Sequence, residues 1–255
     1  MSSYLGRHAE LYDLFYAGKD YRAESEFVHR ALQENGVAPG TRILELACGT
    51  GSHALQFSGH GYSLLATDYS ADMLSQARRK AAGRNIEFRQ LDMSAIEPAL
   101  GTFDAVVCLF DSIGYLQTNE RVEKMLAGVE RVLRPGGVLV FEFWHAAAML
   151  RSFDPLRVRR WEQSDGEIIR ISKTSLDIER QVGTVDYEVI ELLKNGTQRR
   201  LAESQSNRFF SLPEMRLFLA HAGLHSIAWY AGFTPSTKID AEVWHIVAVA
   251  KKPAR

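Results

Sequence analysis

Between residues 40 and 145 the chain alternates short apolar runs with segments of helical period, and this alternation restricts the fold more than any other feature. "APGTRILELA" (38–47) reads as a turn and a buried strand, and "SHALQFSGHG" (52–61) as a short helix ended by Gly59 and Gly61. "YSLLATD" (62–68) is a second strand. "SADMLSQARRKAAG" (70–83) is a helix with Ser70 as its N-cap and Gly83 as its stop. "IEFRQLD" (86–92) and "FDAVVCLF" (103–110) give strands three and four, the latter almost wholly apolar, as a strand covered on both faces should be. "NERVEKMLAGVERVLRPGG" (119–137) predicts a helix closed by a Pro-Gly-Gly turn, and "VLVFEFW" (138–144) a fifth strand. Repeated strand–helix alternation specifies an α/β, doubly wound parallel sheet.

Both ends of the chain depart from that pattern. "AESEFVHRALQENG" (23–36) carries Phe27, Val28, Ala31 and Leu32 at helical spacing and stops at Asn35-Gly36. From about residue 152 to residue 210 the sequence turns β-rich, with Asp165-Gly166 and Asn195-Gly196 as predicted hairpin turns. That stretch reads as an antiparallel β-sheet inserted after strand five. "LPEMRLFLAHAGL" (212–224) is helical, with Pro213 in a tolerated first-turn position, and "HSIAWYAGF" and "EVWHIVAVAKK" form a closing antiparallel hairpin. The expected organisation is an N-terminal helical lid (1–36), a main α/β domain (37–151 and 211–255) and the insert (152–210), which shapes the acceptor or oligomer region.

The loop after strand one, Gly49-Thr50-Gly51-Ser52-His53-Ala54, fits G-x-G-x-x-A, and Asp68 lies nineteen residues beyond Gly49, where a ribose-binding acid belongs. By itself the loop does not separate a nicotinamide dinucleotide from other adenosine ligands. Glu45, four residues before Gly49, is unhelpful beside a pyrophosphate, because like charges repel in a partly desolvated cleft. It suits a ligand that carries an ammonium and a sulfonium. The third strand ends in "LDM", which adds Asp92 to the same sheet edge.

"ELACGTG", Asp68, "LDM" and "RPGG" together resemble the class I S-adenosylmethionine-dependent methyltransferases. The resemblance implies a Rossmann-like fold and S-adenosylmethionine as cofactor, with S-adenosylhomocysteine as product. Glu45 and the Ala47–Cys48–Gly49–Gly51 loop would line the methionine part, Asp68 the ribose, and Asp92 with Met93 the adenine. Tyr69, Met73 and Leu109 complete the implied cofactor site, and Tyr16 and Tyr21 would cover its methionine end. "LYDLFYAGKDYRAES", "CLFDSIGYL" and "RFFSLPEMRLFLAHAGL" are similar to the N,N-dimethyltransferases of deoxyamino sugars of the desosamine and mycaminose type. That similarity implies the amine of a nucleotide-linked sugar as acceptor. It places Tyr12 and Tyr115 near the reacting amine, as residues that orient it. His145, after strand five, is the expected proton acceptor, a role that imidazole chemistry suits.

Other readings stay beside this one. An O-methyltransferase of a sugar or other small metabolite would use the same fold with a stronger base. A nicotinamide oxidoreductase shares the glycine loop, and a binding module with the fold but no turnover is a third alternative. DNA amino-methylating enzymes carry an Asn-Pro-Pro-Tyr type segment where this chain has "FDSIGY", and no Pro-Cys dipeptide offers a cytosine nucleophile. A net charge of −1 argues against a duplex nucleic-acid partner. No group of His, Cys and acids has metal-ligand spacing, so no metal is expected. Only Cys48 and Cys108 occur, no run reaches about 18 apolar residues, and the N-terminus has no basic stretch followed by an apolar run. The expectation is therefore a cytoplasmic protein with no membrane partner, with a homodimer left open. Arg157, Arg159 and Arg160 precede the first insert hairpin as a solvated strand edge or a diphosphate contact.

Overall fold

The computed structural model describes residues 6–254; residues 1–5, the start of the expected lid segment, and Arg255 lie outside the described residues. Two helices come first, α1 (Arg7–Phe15) and α2 (Tyr21–Glu34). The alternating region then gives β1 (Arg42–Glu45), α3 (Ser52–Gly59), β2 (Ser63–Asp68), α4 (Ala71–Lys80), β3 (Ile86–Gln90) and β4 (Phe103–Cys108). After these come α5 (Asn119–Val132), β5 (Leu133–Trp144) and α6 (Ala146–Ser152). The insert supplies β6 (Leu156–Gln163), β7 (Gly166–Asp177), β8 (Val182–Leu193) and β9 (Gln198–Arg208). The chain closes with α7 (Leu212–His221), β10 (His225–Ala231) and β11 (His245–Lys251).

The first sheet has seven strands in the order β10-β11-β5-β4-β1-β2-β3. The five strands β1–β5 pair in parallel, and β10 and β11 pair antiparallel with each other and with β5. Two-residue alternation sends successive side chains to opposite faces. Leu44, Val106, Leu139 and Phe141 therefore meet α5 and α7 on one side, and Ile43, Ala105, Val107 and Val140 meet α2, α3 and α4 on the other. The strand order reverses between β1 and β4, so a crevice opens beyond their carboxyl ends, where open α/β sheets hold ligands.

Local chemistry sets the helix starts. The Ser70 side chain accepts from Met73 N at the head of α4, whose last turn is Arg78-Arg79-Lys80, the sign that suits a helix C-terminus. Ser211 and Glu214 form a reciprocal capping box on α7.

The four insert strands form a separate antiparallel meander, β6-β7-β8-β9. Leu11 and Phe15 of α1 pack on its inner face against Ile168 and Val189. The β6–β7 turn falls one residue earlier than the Asp165-Gly166 expectation, because Gln163 pairs with Gly166 and Ser164-Asp165 make the turn. Gly166 is instead needed inside the strand, where a Cβ would collide with the Leu192 carbonyl. The β8–β9 turn does use Asn195-Gly196, with Thr197 N donating to Asn195 Oδ1 (2.9 Å). The turn at 178–181 between β7 and β8 carries no Gly, Pro or Asn to announce it.

Two further features depart from simple strand–helix alternation. Between β3 and β4 there is no α-helix; a single 3-10 turn, Pro98–Leu100, makes the connection, and buried Ile96 and Leu100 fill the space beneath it. Pairing of β5 begins at Leu133, before the Pro-Gly-Gly segment, and its register against β4 shifts between Phe103 and Ala105. Gly136 N there donates to Lys252 O (3.1 Å), which ties the bulge to the residue just after β11.

Candidate active site

A cavity of about 470 Å³ opens at the β1/β4 switch point. The loop after β1 leaves the strand through Ala47 (φ +52), a left-handed conformation that favours glycine, and turns again through Gly49 and Gly51. Cys48 N donates to Thr67 O (2.8 Å) and Gly49 N to Asp68 Oδ2 (2.8 Å), so β2 braces the loop. Asp68 Oδ1 accepts from Ser70 N (2.8 Å), so the same carboxylate also starts α4. Burial raises the Asp68 pKa, against the lowering effect of these backbone donors. Gly51 lies outside the cavity: it caps α3, and a Cβ there would sit 3.2 Å from Ala77 Cβ.

Glu45 lines the cavity floor and is 3% exposed. Its Oε2 has no hydrogen-bond partner, and burial, followed by the charge of Asp68, pushes its pKa up to about 8. Such a group lacks a cation. Asp92 at the cavity rim behaves oppositely. Burial alone would raise it, but hydrogen bonds from Ser94 N (2.8 Å) and Ser94 Oγ (2.7 Å) and the Arg121 guanidinium (3.1 Å) hold it below the usual carboxylate range. The Cys48 thiol is pushed well up, chiefly by burial and then by the Glu45 charge, so its backbone and not its sulfur serves the loop.

Aromatic rings wall the rest. Tyr12, Tyr16 and Tyr21 of the N-terminal helices reach the cavity, with the Tyr12 and Tyr16 ring centroids 4.7 Å apart and Tyr16 edge-on to Phe110 at 5.1 Å. Burial pushes the Tyr12 hydroxyl well above the ordinary tyrosine value and also raises Tyr21 and Tyr187. These phenols stay protonated near neutrality and serve as hydrogen-bonding groups, not bases. The N-terminal helices are tied to the glycine loop. Thr50 Oγ1 donates to Asp13 Oδ1 (2.6 Å), and Lys80 Nζ bridges Asp13 (2.7 Å), Thr50 and Ser52 (both 2.9 Å). His53, just inside α3, pairs with Glu24 (2.9 Å) and sits edge-on to the Tyr21 ring.

At the opposite end β8, β9 and the 3-10 turn Ser112–Leu116 with the Gln117 that follows it supply Tyr115, Gln117, Tyr187, Gln205 and Asn207. Asp111, in a left-handed conformation after β4, anchors this end. It accepts from Trp144 N (2.8 Å) and Asn207 Nδ2 (2.9 Å).

The structure thus gathers Tyr12, Tyr16, Tyr21, Glu45, Ala47, Cys48, Gly49, Asp68, Tyr69, Met73, Asp92, Met93, Leu109 and Tyr115 around one cavity. It does not bring His145 there. That side chain is 8% exposed, lies outside the cavity wall and has its Nδ1 3.1 Å from Val243 O, so the proton-acceptor expectation for His145 is corrected. Arg157 and Arg160 are engaged by Asp154 (3.1 Å) and Glu167 (3.2 Å) on exposed β6, and Arg159 is exposed beside them, all away from the cavity. Sequence reasoning passed over Arg121, Phe110, Trp144, Tyr187, Gln205 and Asn207. The alternation of Gln205 and Asn207 along "SQSNR" was the available signal, since it sets polar side chains on the inward face of β9. Among the described residues no group of His, Cys, Asp and Glu is arranged to hold a metal, and no helix is long and apolar enough to cross a membrane.

Residues 43–137 match the family model described as a methyltransferase domain. With its sheet order and the acids at three successive strand ends, this segment is similar to class I methyltransferase domains, the kind that uses S-adenosylmethionine. Among its relatives is a dTDP-3-amino-3,4,6-trideoxy-alpha-D-glucopyranose N,N-dimethyltransferase from Streptomyces venezuelae. It is 38% identical over 140 residues, 54% of this chain and 57% of the relative. The chain spans about half the length of the first curated relatives it matches. Two solved structures align along nearly the whole chain. A sugar N-methyltransferase from Streptoalloteichus sp. is 26% identical with a TM-score of 0.79, covering 98% of this chain and 96% of the other. An S-adenosylmethionine-dependent methyltransferase from Clostridium acetobutylicum has a TM-score of 0.82 at 21% identity, covering 97% and 98%.

Proposed function

We propose that this protein is an S-adenosylmethionine-dependent methyltransferase that methylates the amine of a small, nucleotide-linked amino sugar. The observation that carries the cofactor half is Glu45, a buried carboxyl with an orphaned oxygen on the cavity floor, which suits a ligand bearing an ammonium beside a sulfonium. A dinucleotide's pyrophosphate over the same loop would meet that acid's charge. In this reading Glu45 and the Ala47–Gly49 backbone hold the methionine part, Asp68 the ribose, and Asp92 with Met93 the adenine, with Tyr69, Met73 and Leu109 filling in around them. The bound cofactor supplies an electrophilic methyl group for in-line displacement. The protein's share is to align the nucleophile, a form of positioning worth roughly 7–11 kcal/mol in favourable cases. Helices α1 and α2 act as a lid over the cavity, latched through Asp13, Thr50 and Lys80.

An amine acceptor is favoured over a hydroxyl by the wall around Tyr115. Among the described residues, the cavity-lining groups from β8, β9 and the 3-10 turn include no histidine or carboxylate that would deprotonate an alcohol. An amine needs only to shed the proton of its ammonium form, to water or a weak base. The named activities of the Streptomyces venezuelae and Streptoalloteichus relatives agree with this choice. Labelled-methyl transfer, screened over amino-sugar nucleotides and their hydroxyl analogues, tests it: label should pass to the amines alone. Equal labelling of both sets removes the amine assignment, and a melting temperature raised by NAD but not by S-adenosylhomocysteine removes the methyltransferase reading altogether.

A further inference from the structure

The cavity wall has the wrong charge for one part of the proposed acceptor. A nucleotide-linked sugar carries a diphosphate, and the wall holds the acids Glu45, Asp68 and Asp92. Among the described residues, Arg121 is the one Lys or Arg that lines it, and Asp92 already engages that guanidinium (3.1 Å). Cations for a diphosphate must therefore stand beyond the cofactor end.

Arg170, on β7, lies just behind the insert end of the cavity. Its guanidinium carbon is 5.6 Å from the ring centroid of Tyr16 and 5.4 Å from that of Tyr187, and both rings line the cavity. Phe15 at 4.6 Å and Trp161 at 5.4 Å complete a set of four aromatics around it. The residue is 7% exposed, and its Nε has no hydrogen-bond partner. Aromatic faces attract a cation, but they do not satisfy the five N–H donors of a guanidinium. Among the described residues no carboxylate pairs with Arg170. Glu191, on the same face of the neighbouring β8, gives both its oxygens to Arg7 (3.0 and 2.7 Å).

A second observation points to an anion. Arg159 of β6 lies directly opposite Arg170 in the antiparallel pairing, so the two side chains share a face. Like charges placed opposite each other in a sheet are destabilising. The neighbours Arg157 and Arg160 have acid partners in Asp154 and Glu167; among the described residues Arg159 has none. An anion between Arg159 and Arg170 would satisfy the buried N–H groups and relieve the repulsion. Adjacent strands are about 4.8 Å apart, so two phosphates leading away from a sugar against Tyr187 on β8 span β7 and approach the β6 edge.

We propose that Arg170, with Arg159 at the sheet edge, binds the diphosphate of the acceptor, which runs from Tyr187 across the inner face of β7. The inference rests on the nucleotide-sugar reading above and deepens it by giving the anionic part a seat. Phe15 ends α1 and Tyr16 follows it, so the lid covers this arginine and its movement admits the diphosphate.

Thymidine diphosphate is the probe, titrated by calorimetry into protein saturated with S-adenosylhomocysteine so that the adenosine site is filled. The unaltered protein should bind it more weakly as salt rises, and should bind thymidine at least about tenfold less tightly. Arg170→Met should weaken the diphosphate by about tenfold to a hundredfold, Arg159→Gln by about threefold, and Arg170→Lys should fall between. S-adenosylhomocysteine affinity should stay level in all three, which separates loss of the site from loss of the fold. The Arg170 Nε–H resonance, identified by its absence in Arg170→Lys, should move on addition of thymidine diphosphate and not of thymidine, a readout in the unaltered protein. A resonance that stays put, no binding of the diphosphate, equal binding by Arg170→Met, or a loss confined to Arg121→Gln would each overturn the assignment. Methyl transfer plays no part in these measurements. If no amino sugar accepts methyl while the diphosphate still needs Arg170, the amine reading falls and this site stands.

Discussion

Replacing Glu45 with Gln removes the negative charge from the cavity floor while keeping its shape, and two opposite effects follow. With a pKa of about 8, the ligand-free carboxyl is roughly one-tenth ionised at pH 7, so ionising it for a cationic ligand costs about 1.4 kcal/mol. An ammonium at about 4 Å returns on the order of 4 kcal/mol at an effective dielectric of 20. The difference, about 2–3 kcal/mol, corresponds to an affinity for S-adenosylhomocysteine roughly 30- to 150-fold weaker in Glu45→Gln. Binding to the unaltered protein at pH 7 should release close to one proton, and its affinity should rise about fifty-fold between pH 6 and 8. The variant should be flat over that range. Calorimetry in two buffers of different ionisation enthalpy reads both quantities.

Stability moves the other way. Glu45 has a folded pKa above the ordinary glutamate value of 4.5, so it contributes a destabilisation that is absent below pH 4.5 and grows as pH rises toward 8. The ligand-free Glu45→Gln variant should gain on the unaltered protein by roughly 3 kcal/mol between pH 5.5 and 8.5, seen as a divergence of the two denaturation midpoints. A variant that binds with the same pH slope as the unaltered protein, or that loses stability at high pH, would refute a role for Glu45 as a cation's counter-charge.

Gly51→Ala should cost about 1–2 kcal/mol in chemical denaturation, since φ is +77° and the new methyl would press on Ala77; an unchanged midpoint would show that the loop tolerates a side chain. His145→Gln should leave kcat within about twofold, because the ring is outside the cavity, and should lower stability by about 1 kcal/mol through the contact with Val243 O. A large loss of kcat with an intact fold would reinstate it as a proton acceptor. Lys80→Met cuts the latch to Asp13, a half-exposed pair worth at most about 1 kcal/mol. Limited proteolysis within residues 16–20 should quicken, and the difference between variant and unaltered protein should shrink at high salt.

The fold was legible wherever periodicity and punctuation agreed. Ile43 and Leu44, Val106 and Val107, and Leu139 and Val140 each send neighbours to opposite covered faces, which is why those strands read as continuous apolar runs. The cofactor end was legible because a strand–glycine loop–helix unit forces its residues to one sheet edge. The acceptor end was not, because it is assembled from segments about ninety residues apart, as in the contact of Tyr115 with Gln205. Nothing in strand alternation says whether an inward face meets a core or a cavity. His145 misled for a related reason. It follows a strand that ends at the switch-point edge, but its ring turns toward the β10–β11 connection, away from the crevice. Left-handed Ala47, Phe110, Asp111 and Gln117 were equally hidden, since only tertiary bonds such as those of Asp111 and Glu142 hold such residues there.

Four carboxyls, three of them buried and Asp68 partly so, lie along that edge, and their partners separate structural from functional roles. Asp68 accepts from Gly49 N and Ser70 N, and Asp111 from Trp144 N and Asn207. Glu142 accepts from Phe110 N (2.6 Å) and pairs with His245 (2.6 Å), bonds that hold its pKa low in spite of burial. In each of these three both carboxylate oxygens are used, and each holds at least one backbone N–H: in the glycine loop and at the head of α4, at the end of β5, and in the turn after β4. Glu45 alone keeps an oxygen with no donor while facing the cavity. Burying an unpartnered carboxyl costs several kcal/mol in any fold, and a neutral glutamine or leucine would relieve it. The fold supplies no reason to keep the acid, and the proposed function does: its counter-charge comes from what enters the cavity.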